Sequence, residues 1–158
     1  MAPSYVLLFA VGIGVIAGLR SLTAPAVAAW AAQRGWLNLH STALSFMGST
    51  AAVAIFTILA AIELVTDQLP STPPRTKAPG LIARILLGGL SGAAIALAGG
   101  QSAAIGACLG AAGGVAGAFA GYQIRTGLVR ALNVPDFVIA VLEDVAAVAG
   151  ALFFVTRF

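Results

Sequence analysis

Apolar residues fill five long stretches of this chain almost without interruption, at about residues 5–32, 44–65, 81–98, 103–124 and 137–155. Each is long enough for a span of ~20 residues across a bilayer core of ~30 Å. The pattern predicts an all-α, polytopic transmembrane helix bundle, one domain covering residues 1–158. The joints carry turn chemistry. Pro70-Ser71-Thr72-Pro73-Pro74-Arg75-Thr76-Lys77-Ala78-Pro79 reads as an exposed loop, Gly99-Gly100-Gln101 as a tight turn, and Asp136, after Asn133-Val134-Pro135, as a helix cap. The first stretch is too long for one span: its 28 residues would make ~42 Å of helix. Tilt or a kink at Pro25 would absorb the excess, but a break at Gly18-Leu19-Arg20 into a span plus a short interfacial helix is the favoured expectation.

Composition strengthens this picture. Charged residues make up 8% of the chain and hydrophobic ones 60%, with a mean hydropathy of +1.03. Soluble domains carry roughly 25% charged residues, so a separate soluble domain is excluded. The net charge of +3 rests on eight scattered Lys and Arg, which act as topology signals and form no nucleic-acid surface. The first stretch lacks the basic flank and cleavage site of a signal peptide. Cys108 and His40 are each the sole residue of their kind, which argues against a Cys/His metal site, and His40 is expected in an interfacial loop. Five spans put the two ends on opposite sides. Arg75, Lys77, Arg125 and Arg130, with Arg84 close by, then share one side against Arg34 and Arg157 on the other. The positive-inside rule makes the N-terminus cytoplasmic.

Gly106, Gly110 and Gly114 recur at four-residue spacing, interleaved with Gly113, Gly117 and Gly121, and Gly14 and Gly18 repeat the interval in the first stretch. Small residues so spaced allow close helix approach. They serve packing within the chain, or the interface of a homo-oligomer or membrane partner.

Ionisable groups at membrane depth cost on the order of 2.5–3.5 kcal/mol and are functional candidates by default. Arg20 lies deep in the first stretch. Glu63 and Asp67 are four apart, on one helix face. Glu143 and Asp144 lie two turns into the last stretch, and Arg125, which closes the fourth, is expected to neutralise one of them. The carboxylates suit a cation or proton, while Arg20, with Thr23 beside it, suits an anionic group. Phosphate-binding loops, nucleophile elbows and metalloprotease signatures are absent, so no enzyme, cofactor or metal is expected. An inverted repeat pairing residues 17–20 with 120–123 fails in register, because Glu63 ends its helix and Glu143 begins its own.

At Gly18-Leu19-Arg20-Ser21-Leu22-Thr23-Ala24-Pro25-Ala26-Val27 and at Glu63-Leu64-Val65-Thr66-Asp67-Gln68-Leu69-Pro70-Ser71-Thr72-Pro73-Pro74-Arg75-Thr76 the chain resembles a bacterial membrane family, domain of unknown function 4126. The stretch from Arg75 to Gly92 and Leu142-Glu143-Asp144 are similar to it too. Longer members carry a longer insert between the second and third spans. The resemblance implies a bacterial inner-membrane protein and singles out Arg20, Glu63, Asp67 and Pro70. The expected function is a small transporter or channel for an ion or polar solute. The alternatives are an accessory subunit that docks a partner through its glycine faces, or a protein that holds a lipid head group on Arg20 and the basic residues of the Pro-rich loop.

Overall fold

The computed structural model describes residues 2–68 and 76–158, and all its regular structure is helical. The helices are α1 (Pro3–Leu19), α2 (Thr23–Gln33), α3 (Thr50–Thr66), α4 (Ala78–Ala98), α5 (Ala103–Leu132) and α6 (Asp136–Val155), with a 3-10 turn at Ser45–Gly48.

The first stretch does break, and the reason is Pro25. In a continuous helix its ring would strike the carbonyl of Ser21, and its missing N–H would remove a further bond. The chain instead becomes extended at Arg20 (φ −137°, ψ 108°), and Pro25 falls within the first turn of α2, where a proline is tolerated. The break is sharper than expected, because α2 reverses and runs back beside α1. Glu63, near the end of α3, meets Ser21 and Leu22, while Gln33 at the far end of α2 donates to Thr50 at the start of α3. α2 is no interfacial helix either. Eight of its 11 residues are buried, and it packs on α3, α4 and α6.

This hairpin corrects the predicted topology. Gly18 at the end of α1 meets Arg84 near the start of α4, and Val6 near the start of α1 meets Gly99 just past the end of α4. Phe9 of α1 packs against Phe154 and Phe158, with ring centroids 5.4 and 6.3 Å apart. The six described helices alternate in direction, so the residues at the two ends of the chain lie at one end of the bundle, not on opposite sides. Cysteines at Ala2→Cys and Phe158→Cys in a Cys108→Ala background should therefore react with an impermeant maleimide from the same face of the membrane, and Lys77→Cys from the other. Opposite labelling of residues 2 and 158 would refute the hairpin.

Three boundaries also move. α5 continues to Leu132 and ends on Asn133 in the left-handed region (φ 51°), so Arg125 and Arg130 are helical instead of in a loop. α4 begins at Ala78 with Pro79 in its first turn. α3 starts only at Thr50, where the Ser49 side chain accepts from the Ala52 N–H at 3.1 Å. The Pro-rich residues 70–75 lie outside the described residues.

Large apolar side chains face outward, among them Ile55, Ile58 and Ile62 of α3, Ile105 and Ile124 of α5, and Leu142 and Val145 of α6, while Arg20, Glu63 and Arg84 are buried. That is the reverse of a water-soluble globule. Helices α4, α5 and α6 are long and apolar enough to cross a membrane. α1 and α3, at 17 residues each, sit at the short end of the ~17–25 range. The protein is a helical membrane protein.

At the centre, α5 packs on α1 and α4 through glycine. A Cβ at Gly14 would lie 2.2 Å from the Gly110 carbonyl oxygen, one at Gly18 2.5 Å from that of Gly114, and one at Gly92 2.4 Å from that of Gly106. Gly113 and Gly117 meet the carbonyls of Val11 and Val15, and Gly121 is buried. Gly14, Gly18, Gly92, Gly106, Gly110, Gly113, Gly114 and Gly117 thus face other helices of the same chain, the first of the two uses expected of them.

Candidate functional site

Every acid in the chain lies toward the end of the bundle where α3 ends and α4 and α6 begin, and four of the five converge on the hairpin tip at Arg20-Ser21-Leu22. The tip lies within the bundle. Arg84 is six residues into α4 and Glu143 seven into α6, which is ~9–11 Å from those helix starts.

The tip's own backbone creates the first requirement. The opening N–H groups of a helix have no partner within it, and Leu22 in the capping position has no side-chain acceptor to offer. Glu63 supplies one from α3. Its Oε1 accepts from the Ser21 N–H at 2.8 Å and from the Ser21 hydroxyl, and its Oε2 accepts from the Leu22 N–H at 2.8 Å. An anion is favoured at a helix N-terminus, so Glu63 occupies the position an anionic ligand takes in helix-terminus sites.

Arg20 is fully buried. Its Nε donates to Asp144 Oδ1 and its Nη1 to Asp67 Oδ2, and Nη2 lies 3.9 Å from Glu143 Oε2. Two of these carboxylates bridge onward. Asp67 also faces Arg84 Nη2 at 3.6 Å, and Glu143 faces Arg125 Nη1 at 3.6 Å. Arg84 is anchored by donating from Nε to the Gly18 carbonyl at 3.1 Å and from Nη1 to the Gly80 carbonyl at 3.0 Å. Gln68 donates to Asp144 at 3.3 Å. The result is an alternating chain of charge, Arg84, Asp67, Arg20, Glu143, Arg125, Asp136, that ties α4, α3, the tip, α6 and α5 together. Among the described residues, two buried polar atoms lack a hydrogen-bond partner, and both lie here: Nη2 of Arg20 and the hydroxyl of Thr23.

Of the residues expected from sequence, Arg20, Asp67, Glu143 and Asp144 meet directly, Glu63 adjoins them through the backbone, and Thr23 follows at the start of α2. Arg125 Nη1 lies 3.6 Å from Glu143, one of the two acids expected to face it; its two hydrogen bonds go to Asp136, from Nε at 2.9 Å and from Nη2, while Asp144 pairs with Arg20. Asp136 is drawn into that pair from the first position of α6, and Pro135 holds the cap position expected for it. Arg84 and Ser21 were not expected. Arg84 carried a readable signal, since it lies six residues into an apolar helix, nearly as deep as Glu143. Ser21 carried none before the break was located. Among the described residues no three His, Cys, Asp or Glu side chains converge to hold a metal ion. His40 is in an exposed loop, as expected, and Cys108 is free and exposed.

A family model described as Domain of unknown function (DUF4126) matches residues 7–156, nearly the whole chain, and the chain belongs to that family. No curated protein and no solved structure matches it.

Proposed function

We propose, for this member of a family whose description carries no activity, a small non-catalytic transporter or channel that passes an ion or polar solute at the α1–α2 hairpin tip. One observation carries this: an arginine fully buried within a bundle of apolar helices, at the tip of a helical hairpin, held by carboxylates from α6 and the end of α3. Broken helices that present charge near mid-membrane are the usual construction of transport sites. In this reading Asp67, Glu143 and Asp144 are the groups a cation or proton would neutralise, and their neutralisation would release Arg20 to an anionic group. Glu63 holds the tip. The positive-inside rule, applied to the hairpin topology, favours a cytoplasmic location for the end with Lys77, Arg84, Arg125 and Arg130. Both chain ends then face the outside of a bacterial inner membrane, reversing the N-terminal orientation expected from five spans.

Proteoliposomes loaded and assayed against protons, alkali cations, phosphate and small carboxylates test the reading. Wild-type vesicles should carry at least one of these well above empty liposomes, and Glu143→Gln should cut that flux by about tenfold while the protein still elutes as folded. A second reading, an accessory subunit whose charges only lock the helices, is favoured by the engagement of both Nε and Nη1 of Arg20. It stands if no member of the panel crosses faster than the leak.

A further inference from the structure

The opposite end of the bundle carries a second arrangement of a different kind. All five acids of the chain lie toward the hairpin-tip end, so Arg34 and Arg157 occupy an end with no carboxylate side chain. Arg157 stacks on Phe153, its guanidinium 4.7 Å from the ring centroid. Arg34, just past the end of α2, lies over two indoles, 5.2 Å from the Trp30 ring and 5.6 Å from the Trp36 ring. Trp30 is pinned by donating from Nε1 to the Thr57 hydroxyl at 3.0 Å. Between these side chains and Leu152 of α6 opens a cleft of about 220 Å³, lined by Val27, Trp30, Arg34, Trp36 and Leu152. Apart from Arg34 its walls are hydrocarbon and indole.

We propose that this cleft binds an anionic phospholipid of the surrounding membrane, the head-group phosphate on Arg34 and the upper acyl chain against Val27, Leu152 and the indole rings. Charge complementarity selects the occupant. Arg34 is an exposed cation with no acidic side chain at its end of the protein, set at the mouth of an apolar cleft that faces outward from the bundle. Tryptophans favour the depth where acyl chains meet head groups, and arginine suits phosphate because its fork of N–H donors matches the phosphate oxygens. A free phosphate would satisfy Arg34 and leave the apolar walls unused; a phospholipid satisfies both.

Trp30 and Trp36 are the two tryptophans of the chain, so its tryptophan fluorescence reports on this cleft alone. The full-length protein is reconstituted in phosphatidylcholine vesicles containing either brominated phosphatidylglycerol or brominated phosphatidylcholine at the same mole fraction, bromine being a contact quencher. Quenching by the glycerol lipid should exceed that by the choline lipid at least twofold. The excess should vanish in Arg34→Gln, survive in Arg34→Lys, and be unchanged in Arg157→Gln. Equal quenching by the two lipids in the wild-type protein overturns the proposal without recourse to any variant, and so does an excess that persists in Arg34→Gln. An emission change with inorganic phosphate in detergent as large as that with phosphatidylglycerol would overturn the lipid as occupant.

Discussion

Replacing Arg20 by alanine is expected to lower the unfolding free energy by about 3–5 kcal/mol, the cost of breaking a buried ion pair from one side. The magnitude follows from what is left behind. Asp67, Glu143 and Asp144 would share the emptied volume with the remaining cations Arg84 and Arg125 at 3.6 Å from Asp67 and Glu143, and Asp144 would keep Gln68 at 3.3 Å. The side chains of these acids are only 17%, 9% and 14% exposed, so water screens them poorly. A surface ion pair would be worth about 0–1 kcal/mol, and the two regimes are far enough apart to be told from one another. Denaturant titration in mixed micelles, followed by far-UV circular dichroism, measures the difference. Arg20→Lys should lose much of the same stability, because an ammonium cannot reach Asp67 and Asp144 in the forked geometry of a guanidinium. The double variant Arg20→Ala with Asp144→Asn should be more stable than the single one, since one buried charge is gone. A loss below about 1 kcal/mol for Arg20→Ala would mean that water screens the tip as it does a surface pair, and the account of Arg20 as a buried ion-pair centre would fall.

The second large effect is expected at Gly110, which stands where α1, α4 and α5 meet. A Cβ there would lie 2.2 Å from the Gly88 carbonyl oxygen and 2.9 Å from the Gly92 Cα. Both are backbone atoms, so no side-chain rotation relieves the overlap and the helices must move apart. Separation also forfeits the contacts of Gly14 with Gly110 and of Gly92 with Gly106, and between membrane helices such van der Waals contact replaces the hydrophobic drive found in water. Gly110→Ala should cost about 3 kcal/mol, the upper part of the range for overpacking, where a glycine-to-alanine change in an unobstructed helix would gain about 0.5–1 kcal/mol. Gly127, on the same helix with nothing within 4 Å of the position its Cβ would take, is the internal control and should gain. If the two substitutions shift the unfolding midpoint in the same direction, the close α1–α4–α5 contact is not what holds the bundle.

Much of this was legible because membrane helices announce themselves one at a time. A helix in lipid must satisfy its backbone internally, so the run of apolar residues alone marks it, whatever its neighbours do. The spacing of Gly106, Gly110, Gly113, Gly114 and Gly117 is likewise a property of one helix. So is the expense of Arg20, Glu63, Asp67, Glu143 and Asp144, since burying a charge is costly in any arrangement. From such terms the sequence determined the helical membrane class, most of the elements and most of the residues that need partners.

The partners themselves were decided by the tertiary structure. Pro25 says that the first stretch cannot continue as one helix, but its direction after the break depends on α3, whose Glu63 holds the N–H groups of Ser21 and Leu22 and turns α2 back. That reversal changes five passes into an alternating set of six helices and brings both chain ends to one end of the bundle. It also decides which acid meets which arginine. Asp144 reaches Arg20 across 124 positions in sequence because α6 packs beside the hairpin, while Asp136 meets Arg125 across only 11 because α6 follows α5 after a short turn. A preference for opposite charge does not specify the partner; the geometry of packed helices does.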